Sequence, residues 1–199
     1  MKLYRPATIL VGILFVLIGG LTRLATPEQV FEQQNMMVSS GTIGQPLRFG
    51  KEASLTVVRM HLAKSVMETN ASSDAKPFET NGIFVALEWE STPGVDKADT
   101  AQATLVSDGD AVFNPLPLTY SRIDFGASGF TQSGAIVFEV DPAELAGLTL
   151  QVRPGQFWNV LNRMVSVDLG IPSEAVAQQL VDNAAEQFVV PKQDIRVAS

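Results

Sequence analysis

Few side chains in this chain could carry out chemistry. Among its 199 residues there is no cysteine, so a thiolate zinc site, a cysteine nucleophile, a disulfide framework and a lipid-modified N-terminal cysteine are all excluded. His61 is the single imidazole, the side-chain type best suited to trading protons near neutral pH. A Ser/His/Asp triad could be assembled only around it, and the sequence has no Gly-x-Ser-x-Gly elbow to present the nucleophile. Glu88 and Glu90 share one face of an expected strand and form a candidate carboxylate pair. Glycoside hydrolysis, however, needs two carboxyls across a cleft, and neighbours on one strand face more often mark a solvated surface. Asp108 and Asp110 flank Gly109, and Asp96 and Asp99 occupy another loop, yet a calcium site wants six or more oxygens and the full loop motif is missing. The expectation is no catalytic residue, no metal and no cofactor.

Charge narrows the partners. Lys2, Arg5 and Arg23 are the only charged residues among the first 27; the remainder carries 11 basic against 21 acidic side chains, a balance of −10 within an overall −7. An acidic domain repels phosphate backbones and anionic lipid headgroups, which argues against nucleic acid and against a basic membrane-surface patch.

The seventeen residues between Arg5 and Arg23 are uncharged and nearly all apolar, with Ile9, Leu10, Ile13, Leu14, Phe15, Leu17 and Ile18 as the heart of the run. As a helix the run would reach roughly 25 Å, close to a hydrocarbon core if Tyr4 and Leu24 extend it and Arg23 snorkels outward. A cleaved signal peptide is the competing reading. The best cut, after Ala25, has Arg23 where a small side chain is wanted, and a cut after Gly20 has Leu17 there, so an uncleaved signal-anchor over 1–24 is expected. Basic residues at the start put the N-terminus in the cytoplasm and the rest of the chain outside, as a single-pass protein of the cell membrane. Residues 25–50, polar with two prolines and scattered apolar side chains, read as a tether.

From about Ser54 the pattern changes to short runs of period two separated by turn residues, the signature of half-buried antiparallel strands. Thr56, Val58, Met60 and Leu62 alternate on one side of a first strand, leaving His61 on the other; Ile83, Val85, Leu87 and Trp89 do so in a second, with Phe84 and Ala86 behind. Further strands are expected at 101–106, 111–113, 136–140, 148–152 and 165–169. Ser107-Asp108-Gly109-Asp110 closes a hairpin, with the glycine supplying positive φ. About seven strands make a mainly β protein, a β-sandwich over 51–170 in which two sheets bury one face each.

After Pro172-Ser173, residues 174–188 read as an amphipathic helix, with Val176, Leu180, Val181, Ala184 and Phe188 on one stripe. The stripe either packs on the sandwich or docks a partner; the tail at 188–197 adds an edge strand. Phe157 and Trp158 lie in an aromatic loop, either plugging one end of the sandwich or anchoring a partner. Phe157, Trp158, Leu180 and Phe188 are therefore the candidate partner-binding residues. Asn70-Ala71-Ser72 is a formal glycosylation sequon.

Several segments together carry a resemblance: the apolar N-terminus and spacer, the opening strand near Leu55-Thr56-Val57, Gly82-Ile83-Phe84-Val85-Ala86-Leu87, Gly134-Ala135-Ile136-Val137-Phe138-Glu139-Val140, and Leu148-Thr149-Leu150-Gln151-Val152. Over roughly 46–169 the chain resembles the telokin-like, immunoglobulin-like extracellular domains of Gram-positive bacteria, especially actinobacteria, a group largely of unknown function. The resemblance implies an immunoglobulin-like sandwich and no catalytic residues. The expected function is thus a non-enzymatic, membrane-anchored binding module whose partner is another membrane or envelope protein, in an accessory or assembly role. An envelope hydrolase working through carboxylates is the alternative.

Overall fold

A computed structural model describes residues 37–48, 53–72, 74–93, 101–154 and 163–198. Eleven strands run in chain order: β1 (Met37–Thr42), β2 (Leu47–Arg48), β3 (Ser54–Glu68), β4 (Phe78–Thr92), β5 (Ala101–Val106), β6 (Val112–Phe113), β7 (Phe130–Val140), β8 (Thr149–Pro154), β9 (Arg163–Asp168), β10 (Phe188–Val190) and β11 (Asp194–Val197). Among the described residues one α-helix, α1 (Glu174–Asp182), precedes β10. The first sheet has the order β1-β9-β8-β5-β6; the second has β10-β3-β4-β7-β11, with β2 also paired to β3. The chain is mainly β and a β-sandwich, as expected.

The two sheets face each other across a core in which Leu55, Leu87, Trp89, Leu105, Phe138, Leu150 and Val167 are buried. Strand β4 supplies Ile83, Val85, Leu87 and Trp89 to it, as its alternation predicts. In β3 the predicted phase fails in the first half. A bulge between Val57 and Arg59 shifts the register, so Leu55 and Val57 point inward before it, Met60 and Leu62 after it, and Val58 is exposed.

Behind the second sheet lies a smaller core of Val66, Phe84, Ala86, Ala135, Val137 and Val190, flanked by Leu116, Leu118, Tyr120 and Phe188. Its existence follows from the connection of the last two strands. Val190 pairs with Glu68 beside β3, and four residues on Asp194 pairs with Ser133 beside β7. Four residues reach at most about 14 Å, whereas four strand spacings of a flat sheet take about 19 Å. The second sheet is therefore not flat between these two pairings, the more so because Ser133 is in register with Glu90 and Thr56, twelve residues along β3 from Glu68. Hydrogen bonds from Thr119 to Glu68 and from Asn70 to Tyr120 (2.6 Å) tie the end of β3 to the 115–121 segment, which itself bridges to β7.

Two expectations are corrected. The tether over 25–50 is not followed from Met37 onward: β1 lies parallel to β9, and β2 antiparallel to β3. After residue 170 the helix stripe packs on the main core and the tail adds the edge strand β11, as read, with β10 a further strand of the second sheet; all described residues belong to one unit, Met37–Ser199. The helix itself stops at Asp182, well before 188. Its start is as read, with the Ser173 hydroxyl accepting from the Val176 N–H (3.4 Å), and Val176, Leu180, Val181 and Ala184 touch the core. Among the described residues no helix is long and apolar enough to cross a membrane; the 1–24 segment with Ile9, Leu10, Ile13, Leu14, Phe15, Leu17 and Ile18 lies outside them.

Candidate interaction site

His61, Glu88 and Glu90, singled out for chemistry, each have a side-chain partner. His61 Nε2 meets Glu88 Oε1 at 2.9 Å on the outer face of the second sheet, and its ring lies 5.1 Å from that of Phe188. Arg196 Nη2 donates to Glu90 Oε1 at 2.7 Å. The two glutamates of the proposed carboxylate pair thus each hold their own basic partner on a solvent-facing surface. The Ser107–Asp110 turn closes the β5–β6 hairpin as expected, with the Ser107 N–H bonded to the Ala111 carbonyl (3.0 Å). Positive φ falls on Asp110 (61°) and not on Gly109, a correction to the expected glycine role. Asp108 packs against Gly147, whose φ of 71° and lack of Cβ leave room for the carboxylate. Among the described residues no group of three His, Asp or Glu side chains could hold a metal; Asp96 and Asp99 lie outside them.

Of the four candidate partner anchors, Phe157 and Trp158 lie outside the described residues. Leu180 is half-buried against the main core, and Phe188 half-buried against the outer one. Both contribute to internal packing, because the α1 stripe covers the sandwich and Phe188 has moved from the expected helix into β10.

Large apolar side chains are exposed at several strands, among them Met37 on β1, Phe78 on β4, Val112 on β6 and Val189 on β10, and the most exposed of them lies on β11. Strand β11 ends the second sheet, with Ile195 60% and Val197 74% exposed beside Phe130, 39% exposed. Sequence reading anticipated an edge strand here without recognising its exposed apolar side, which the alternation Asp-Ile-Arg-Val signals. Asp194 and Arg196 lie on the outer face with Ser133 and Thr131; Ile195 and Val197 pair with Gln132 and Phe130 on the face that carries the main core farther along.

The strand is held firmly. Gln193, just before it, accepts from Gln132 Nε2 (3.2 Å) and donates to the Arg122 carbonyl (3.2 Å) and Asp124 Oδ2 (3.0 Å). Ser91 Oγ donates to the Asp124 carbonyl at 2.6 Å, fixing the same crossing segment. Gly134 permits the clamp: a Cβ there would stand 2.9 Å from Trp89 Cζ2 and 3.1 Å from Gln193 Cγ. The Ala198 N–H donates to the Gly129 carbonyl at 2.9 Å. Hydrogen-bonding direction alternates along an antiparallel strand, so Asp194 and Arg196 bond toward β7 while the N–H and C=O of Ile195 and Val197 point away from it. Among the described residues no strand pairs with that side.

No family model and no curated protein matches this chain. Among solved structures, the chain is similar to the crystal structure of an uncharacterized β-sandwich protein from Clostridium difficile 630, at 11% identity and a TM-score of 0.40, covering 66% of this chain and 95% of that one.

Proposed function

We propose that the chain is a non-enzymatic, membrane-anchored extracytoplasmic binding module of the telokin-like, immunoglobulin-like kind, acting as an accessory or assembly subunit of a membrane or envelope protein complex. The apolar run around Ile9, Leu14 and Ile18 is its single-pass anchor, with the N-terminus cytoplasmic and residues 37–199 outside. The observation that carries the reading is the β11 edge. Outward N–H and C=O groups beside exposed Ile195 and Val197 form a template for strand addition, in which main-chain bonds give affinity and alternate side chains give selectivity. The supporting framework is rigid, with Gln193 and Arg196 fixing the strand from both faces.

Affinity purification of the full chain from gently solubilised membranes tests this reading. A photo-reactive side chain at position 195 is expected to capture a protein neighbour, and one at Val112, exposed on the short β6, to capture none. Equal yields at the two positions, or turnover of a cell-wall compound by the purified chain, contradicts the proposal.

A further inference from the structure

We propose that the occupant of the β11 edge is the same edge of a second copy of this chain, making the second sheet continuous across a twofold axis. The inference rests on the reading of β11 as the binding edge and names its partner. Two identical strands paired antiparallel by a twofold normal to the sheet must centre on a residue, since residues directly opposite share a face. Centring on Asp194 sets that carboxylate against its own copy. Centring on Arg196 does the same with two guanidinium groups, and centring on Val197 sets Arg196 opposite Ala198, which forms no ion pair. Centring on Ile195 instead brings Asp194 opposite the Arg196 of the second copy, twice over, with Ile195 against Ile195. Read backwards, Asp-Ile-Arg is its own electrostatic complement.

The backbone agrees with this register. Ile195 is a residue whose N–H and C=O point away from β7, so the central pair can exchange both hydrogen bonds. Arg196, already bonded to Glu90, would sit between that carboxylate and the Asp194 of the second copy. Val197 would lie opposite Gln193 of the second copy, continuing the apolar side from Phe130. A four-residue strand buries less than a standard stable interface, so the dimer is weak and concentration-dependent.

The absence of cysteine makes the register directly testable in the full chain. In Ile195→Cys the two thiols would sit on Cα atoms about 5.5 Å apart, within disulfide reach. Under mild oxidation Ile195→Cys is expected to form covalent dimer at least about tenfold faster than Val112→Cys, because pairing raises the local thiol concentration. In the Ile195→Cys background, Asp194→Arg alone and Arg196→Asp alone should each slow dimer formation several-fold by placing like charges opposite each other. Mixing the two variants should restore it, since their edges are then complementary, and that recovery cannot arise from misfolding. Equal rates at positions 195 and 112, or a mixture no faster than its components, overturns the dimer. Capture of a different protein at position 195 in membranes would overturn the dimer while leaving the binding-edge reading standing; no capture there at all would remove both.

Discussion

The two edges of the second sheet are finished by different amounts of added chain. On the β3 side nearly every turn of the edge is closed by backbone. β2 pairs at Leu55, the Gly44 N–H reaches the Val57 carbonyl at 2.7 Å, Ala185 exchanges bonds with Leu62 and Lys64 at 2.9 Å, and β10 covers Val66 to Glu68. On the β7 side the sheet ends on β11, whose outward groups meet no other described strand. Natural sheets protect edges against unwanted pairing; both edges here end on a short strand with no further described partner, but the β3 side is broken between β2, the Ala185 bridge and the three-residue β10, whereas the β7 side ends on an unbroken four-residue β11 that alternates charged and apolar side chains. Under the function proposed above, the first edge serves stability and the second recognition.

Reversing the burial of one valine on each edge should break the symmetry most visibly. Val190 is 0% exposed in the outer core, so Val190→Asp leaves an uncompensated buried charge and is expected to cost about 3–5 kcal/mol. Val197→Asp, at 74% exposure, should stay within about 0.5 kcal/mol. Urea titration of the two variants reads the difference. A similar loss in both would mean that the β11 edge is structural after all.

A smaller effect should follow from the clamp that sets β11. Gly134→Val drives methyl groups toward Trp89 and Gln193, and over-packing of this kind costs about 1–3 kcal/mol. Hydrogen exchange should show the Asp194 and Arg196 amides, which face β7, losing protection beyond the global change. Unaltered protection there would show that Gln193 does not position the strand.

Smallest of all is the ion pair on the closed edge. Lys64 Nζ and Glu186 Oε1 lie 2.6 Å apart with side chains 56% and 82% exposed, so Lys64→Ala should cost no more than about 0.5 kcal/mol. The seal is made by the backbone bonds of Lys64 and Ala185, and these survive the substitution. A loss several times larger in thermal unfolding would transfer the sealing role to the side chains.

What the sequence discloses depends on the length over which a pattern can repeat. Strand β4 is read correctly on both faces, down to Phe84 and Ala86 behind it, because its alternation continues unbroken from Ile83 to Trp89. Strand β3 is read out of phase before Arg59, since a bulge adds a residue that no alternation can announce. Strands β1 and β2, six and two residues long, lie in a stretch rich in serine, glycine and proline, and owe their conformation to pairing with β9 and β3. The same holds at the candidate site. Phe188 fits a helical stripe in sequence, but the chain leaves the helix at Asn183 and Ala185 bridges to β3, so tertiary pairing overrides the periodicity. The exposed side of β11 is visible in Asp-Ile-Arg-Val; only the fold shows that no described strand stands beyond it.

Hydrogen exchange at the Ile195 and Val197 amides of the full chain, followed from dilute solution to high concentration, addresses the recognition edge most directly. The account predicts fast exchange of both amides when dilute and growing protection as concentration rises, with the β10 amides unchanged throughout. Protection of Ile195 and Val197 that does not vary with concentration would contradict it.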